Sequence, residues 1–125
     1  MRPHYVAIIL SALVFGCNSA NAEMTVNELL KDYDSANAER RRFIEMLVSE
    51  NANGISWTNV FLEEVRKEKP LYCQPDALVL TGPQILDMLR RDAKEFPETG
   101  GHPFGYGILA VSMRVFPCSK PKISD

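Results

Sequence analysis

Side chains able to do nucleophilic, acid–base or metal chemistry are few and scattered in this 125-residue chain. There are three cysteines, Cys17, Cys73 and Cys118, and two histidines, His4 and His102. An enzyme site needs several such groups converging on one point. His102 with Ser112 and an aspartate is a nominal triad, but no spacing supports it, and a glycine-rich neighbourhood suits an exposed loop histidine. Neither Cys73 nor Cys118 has a second cysteine nearby, as a zinc site requires. Gly100, Gly101, Gly105 and Gly107 lack the Lys-Ser/Thr ending and the preceding strand of a phosphate-binding loop. Glu63-Glu64 reads as a solvated helix face. These residues point to a binding protein rather than an enzyme, with no catalytic residue, no metal site and no cofactor expected.

The cysteines are better explained by export. Arg2 precedes an apolar run, Val6 to Phe15, followed by the small-x-small triplet Ala20-Asn21-Ala22. That order is a secretory signal with cleavage after Ala22. The run, about ten residues, falls well short of the roughly 20 that span a bilayer. Cys17 partly resembles a lipoprotein box, but Phe15 stands where a small residue is usual, so cleavage after Ala22 is preferred over a lipid anchor at Cys17. The expected domains are therefore a signal peptide, 1–22, and one helical domain, 23–125, placed in the periplasm. Two cysteines remain after cleavage, and an even count in an exported chain predicts the disulfide Cys73–Cys118, with two free buried thiols as the alternative. Closing a loop of this length stabilises a fold by roughly 4 kcal/mol in the chain-entropy account. Without Arg2, 13 basic residues face 16 acidic ones, and no basic excess suggests nucleic acid.

The elements that would position these residues are helical. Thr25-Val26-Asn27-Glu28 and Thr81-Gly82-Pro83-Gln84 are capping-box patterns opening helices. Ala36 to Lys69 is helical in pattern, with Ile44, Val48, Ile55 and Leu62 on one stripe and Phe43, Leu47, Phe61 and Val65 flanking it. At Asn51-Ala52-Asn53-Gly54 two readings stay open: a C-cap at Gly54 with a new helix from Ser56, or a continuous helix whose Gly54 lets a neighbour pack close. Pro70 ends the helix in both readings. Leu71 to Leu80 is an ordered connection. The next helix turns Ile85, Leu86, Leu89 and Ala93 inward and Asp87, Arg90, Arg91 and Lys94 outward. Glu98 to Pro103 is a loop made permissive by two glycines. Phe104 to Phe116 is apolar almost all round, as suits the buried centre of a bundle or a dimer contact. With no strand alternation, the fold class is all-α: a small bundle of four or five helices closed by one disulfide.

Three stretches together resemble a known family. They are Gly54-Ile55-Ser56-Trp57-Thr58-Asn59; Leu71-Tyr72-Cys73-Gln74-Pro75 with Gln84 after a gap; and Phe96-Pro97 with an apolar helix ending in Phe116-Pro117-Cys118. Their order and spacing are similar to the Rap/Tai family of immunity proteins, which neutralise peptidoglycan amidases delivered by type VI secretion. Gly54, Trp57, Asn59, Tyr72, Pro75, Gln84, Pro97, Phe116 and Pro117 carry the motif. The extra cysteine pair of many relatives is absent, so the match is to a one-disulfide branch. The resemblance implies a helical periplasmic inhibitor, often a homodimer, whose protruding part blocks the amidase cleft. Glu98, Thr99, Gly100, Gly101, His102 and Pro103 would form that protrusion, with Arg90, Arg91 and Asp92 a second candidate patch. Trp57 would serve core or dimer packing. A periplasmic acid-stress chaperone of the HdeA type, also small, helical and disulfide-closed, is the alternative.

Overall fold

A computed structural model describes residues 23–118. The segment expected as a signal peptide, 1–22 with Cys17, and residues 119–125 lie outside the described residues. Within them there are five helices and no strand: α1 Val26–Ser35, α2 Ala38–Glu64, α3 Gly82–Glu95, α4 Pro97–Gly100 and α5 Phe104–Val115. None is long and apolar enough to cross a membrane. The Cys73–Cys118 disulfide is formed, with an S–S distance of 2.05 Å.

Both capping patterns act as local chemistry dictates. The Glu28 carboxylate accepts the Thr25 N–H at 2.8 Å, and the Thr25 hydroxyl accepts the Glu28 N–H at 3.3 Å. These bonds occupy donors that the first helical turn would otherwise leave open. They also hold the Glu28 carboxyl below its ordinary range, the backbone bond contributing most. At α3 the Gln84 side chain accepts the Thr81 N–H at 2.9 Å. Asn37 caps α2 through a 2.9 Å bond from the Arg40 N–H.

The core is one cluster drawn from four helices: Val26, Leu29 and Leu30 of α1, Ile44 and Val48 of α2, Ile85, Leu86 and Leu89 of α3, and Phe104, Ile108 and Val111 of α5. Two crossings are close enough to demand glycine. A Cβ on Gly107 would strike the Val26 side chain, and one on Gly82 would strike the backbone of Glu45. Surface ties reinforce the crossings: the Tyr33 hydroxyl donates to Glu45 at 2.7 Å, and Arg90 grips both oxygens of Asp34 at 2.6 and 2.9 Å.

Several expectations are corrected here. The long helix runs unbroken through Asn51–Gly54, so no new helix begins at Ser56, and nothing packs close to Gly54. A mid-helix glycine costs about 1 kcal/mol relative to alanine. The inward residues Ile44, Val48 and Asn59 lie on both sides of Gly54 and are held by the rest of the bundle, which outweighs that local cost. The helix stops at Glu64, short of Lys69. Lys67 takes a left-handed φ of 55°, and the Glu68 N–H closes onto the Leu62 carbonyl at 2.9 Å. A left-handed residue other than glycine thus turns the chain out of the helix, ahead of Pro70. The apolar helix α5 is buried on one side only; Tyr106, Met113 and Val115 are exposed.

Candidate functional site

The two ends of the sequence motif meet. Besides the disulfide, the Cys73 N–H donates to the Phe116 carbonyl at 2.8 Å, so Tyr-Cys-x-Pro lies against Phe-Pro-Cys. Asn59 locks the same connection to α2. Its side-chain amide donates to the Tyr72 carbonyl at 2.8 Å, and its carbonyl oxygen accepts the Leu71 N–H at 2.8 Å. Tyr72 is buried, and burial pushes its phenol pKa up. Pro75 turns the connection by accepting the Leu78 N–H at 2.9 Å. Gln84 caps α3, Pro97 opens α4, and Phe116 caps the end of α5, while Pro117 is exposed. Most of the motif residues therefore hold the frame. Gly54 and Trp57 do not; both face solvent, and Trp57 is not a core residue.

Glu98 to Pro103 is not a permissive protruding loop. Pro97–Gly100 forms a helical turn, and Thr99 and Gly100 are buried. The segment is stitched to the start of α1: the Val26 N–H donates to the His102 carbonyl and the Phe104 N–H to the Met24 carbonyl, each at 3.0 Å, with Thr25 and Pro103 in a bridge. The Asn27 side chain lies where a Cβ on Gly100 would stand, so any other residue there would have to turn that asparagine outward. Gly101 has φ −86°, so this pair of glycines is not used for left-handed backbone. What remains outward is Glu98, Gly101 and His102, with Pro103 half-buried.

His102 continues into α5. Its ring sits 4.8 Å from that of Tyr106. Tyr106, Leu109, Ala110 and Met113 then line a shallow apolar groove edged by Arg114. Their spacings of three, one and three keep them on one helical face. An aromatic start and an apolar middle make a surface suited to another protein. The pattern of this helix suits either a buried centre or a dimer contact, because a run apolar on all sides carries no mark of which side is covered.

The second candidate patch is spoken for. Asp92 is buried and accepts two bonds from Arg114, at 2.6 and 2.5 Å, while Arg114 also donates to the Thr99 hydroxyl at 2.9 Å and lies 4.5 Å over the Phe96 ring. Arg90 holds Asp34, and Arg91 pairs with Asp87. The Ser112 hydroxyl donates to the Ile108 carbonyl at 2.8 Å and is buried, so it is not poised as a nucleophile beside His102. Among the described residues no three His, Cys, Asp or Glu side chains cluster as metal ligands would. Comparison with protein-family models, curated proteins and solved structures finds no match to this chain.

Proposed function

We propose that this chain is a periplasmic immunity protein that binds a peptidoglycan amidase effector stoichiometrically and closes its catalytic cleft. The observation that carries the reading is the open face running from His102 through Tyr106 to Met113, next to a frame built by the motif residues. Inhibition by occlusion requires a rigid surface, and this one stands on a helix tied at one end by the disulfide and at the other by the bonds to α1. Tyrosine and methionine are residue types enriched in protein interfaces. The amidase as target rests on the sequence resemblance.

The test is co-purification with a Cys-His amidase encoded beside this chain, coupled to a peptidoglycan-cleavage assay. Tyr106→Ala and Met113→Asp should each weaken inhibition at unchanged melting temperature. No binding and no loss of cleavage would refute the proposal. Suppression of aggregation of unrelated proteins at strongly acidic pH, without amidase binding, would favour the chaperone reading instead.

A further inference from the structure

The inward stripe of α2 thins out just past the middle of the helix. Val48 is fully buried, and steps of four residues lead from it to Ala52 and then Ser56 on the same face. Both side chains are small. Neither fills the depth that Ile44 and Val48 fill earlier in the helix. A cleft of 190 Å³ is left between α2, α3, α5 and the connection that follows Cys73.

The inner wall of this cleft is apolar. Ile85 of α3 and Ile108 and Val111 of α5 form it, and all three are buried. Leu78 and Leu80 of the connection close another side. Two local bonds fold the connection into that position. The Gln74 side-chain amide donates to the Leu78 carbonyl at 2.5 Å, and the Leu78 N–H donates to the Pro75 carbonyl at 2.9 Å. Polar side chains gather at the open edge, where Asn53 and Ser56 are exposed and Gln74 is half-buried. Among the described residues, no charged side chain lines the cleft.

We infer that this cleft binds a small neutral amphiphile, a compact apolar body with a single hydroxyl or amide head. Volume sets the size of the body. A cavity of about 150 Å³ accepts benzene, so this one has room for a six-carbon ring and one further polar group. It is smaller than the sites that take drug-sized ligands, although it shares their pattern of apolar walls with a few convergent polar groups. The lining sets the chemistry. Isoleucine, leucine and valine favour an apolar body. Asn53, Ser56 and Gln74 offer both donors and acceptors to the head. A carboxylate or ammonium would leave water without meeting an opposite charge, which is costly. The cleft shares no residue with the outer groove on α5, so the inference does not depend on the amidase reading.

Benzyl alcohol is a suitable probe, with benzoate and benzylamine as charged counterparts of similar size. Two-dimensional NMR of the mature chain follows binding, and circular dichroism melting controls for folding. Benzyl alcohol should shift the Ala52, Leu80 and Val111 signals saturably, with a Kd on the order of 1 mM. The two charged probes should bind at least about tenfold more weakly. Ala52→Leu and Ser56→Leu each fill the cleft from α2 and should weaken binding at least about tenfold in a folded protein. Ser56 is exposed, so its variant keeps the test valid if leucine at position 52 disturbs the packing. No saturable shift up to about 20 mM would leave water as the sole occupant and overturn the inference. Equal binding of the three probes would also overturn it, as would undiminished binding in both leucine variants.

Discussion

Removing the Arg114 guanidinium should be among the most damaging single changes in this protein. Its partner Asp92 has a side chain only 5% exposed, whereas that of Arg114 is 38% exposed. The carboxylate sits on α3 and the guanidinium on α5, and Thr99 of α4 joins them. Three of the five helices therefore depend on one ionic contact. The Asp92 hydrogen bonds also hold the Arg114 pKa above its ordinary value.

Arg114→Met is the informative substitution, because it keeps the stem that lies over Phe96 and deletes only the charge. Breaking a buried pair from one side costs about 3–5 kcal/mol, since the other charge is left without a partner. The exposure of Arg114 admits water to the site, which reduces the expected loss to about 2–3 kcal/mol. For a domain of this size that lowers the melting temperature by about 10–20 °C. Urea unfolding measures the free energy directly, at unchanged dependence on denaturant. Asp92→Asn should cost less, because the arginine it abandons can reach solvent. The double variant should cost clearly less than the two single losses together, by about 1–2 kcal/mol. A loss below about 0.5 kcal/mol for Arg114→Met, or strict additivity in the double variant, would refute the reasoning that this ion pair holds the three helices together.

Three further outcomes are expected. Cys118→Ser, or reduction of the wild type, should lower unfolding free energy by up to roughly 4 kcal/mol, measured in urea with and without reductant. Asn59→Ala should cost about 1–3 kcal/mol, because it leaves the Leu71 N–H and the Tyr72 carbonyl, the latter in a buried bond, without their partner; amide exchange at Leu71 should accelerate with it. Glu28 has a folded pKa below its unfolded value, so its contribution to stability is present above the ordinary carboxylate range and is lost as pH falls through the folded pKa. Thr25→Val keeps the backbone donor and removes the hydroxyl, so an NMR titration should find the Glu28 pKa moved only part of the way back up.

The legible part of this fold is the part governed by neighbours three or four residues apart. Thr25 with Glu28 and Thr81 with Gln84 mark helix starts because each bond is made within a single turn. The Cys73–Cys118 pairing follows from counting once Cys17 is assigned to a signal peptide, since the two remaining thiols allow only one bridge. Gly54 shows the limit of such reading. Asn-Ala-Asn-Gly has the local chemistry of a helix end, but the inward face continues past it from Val48 to Asn59, and burial of that face outweighs the cost of one glycine. The same limit applies to Glu98–Pro103. Two adjacent glycines look like freedom, whereas the segment is held by backbone bonds to Met24 and Val26, residues more than seventy positions away.

By itself, then, the sequence determined an all-helical chain, the capping boxes at Thr25–Glu28 and Thr81–Gln84, and its disulfide; Asn37, which caps the long helix, stood out less than Asp34-Ser35, which the first helix absorbs. Only the tertiary structure decided which apolar surfaces stay open. Phe43, Trp57 and Phe61 on α2, and Tyr106 and Met113 on α5, are no less hydrophobic than the residues that fill the core. Their exposure depends on which helix crosses at which face, a property of contacts between distant segments that no local spacing records. The same holds for Asp92: its position among Arg90, Arg91 and Lys94 reads as a solvated face, and its burial follows from α5 bringing Arg114 across to meet it.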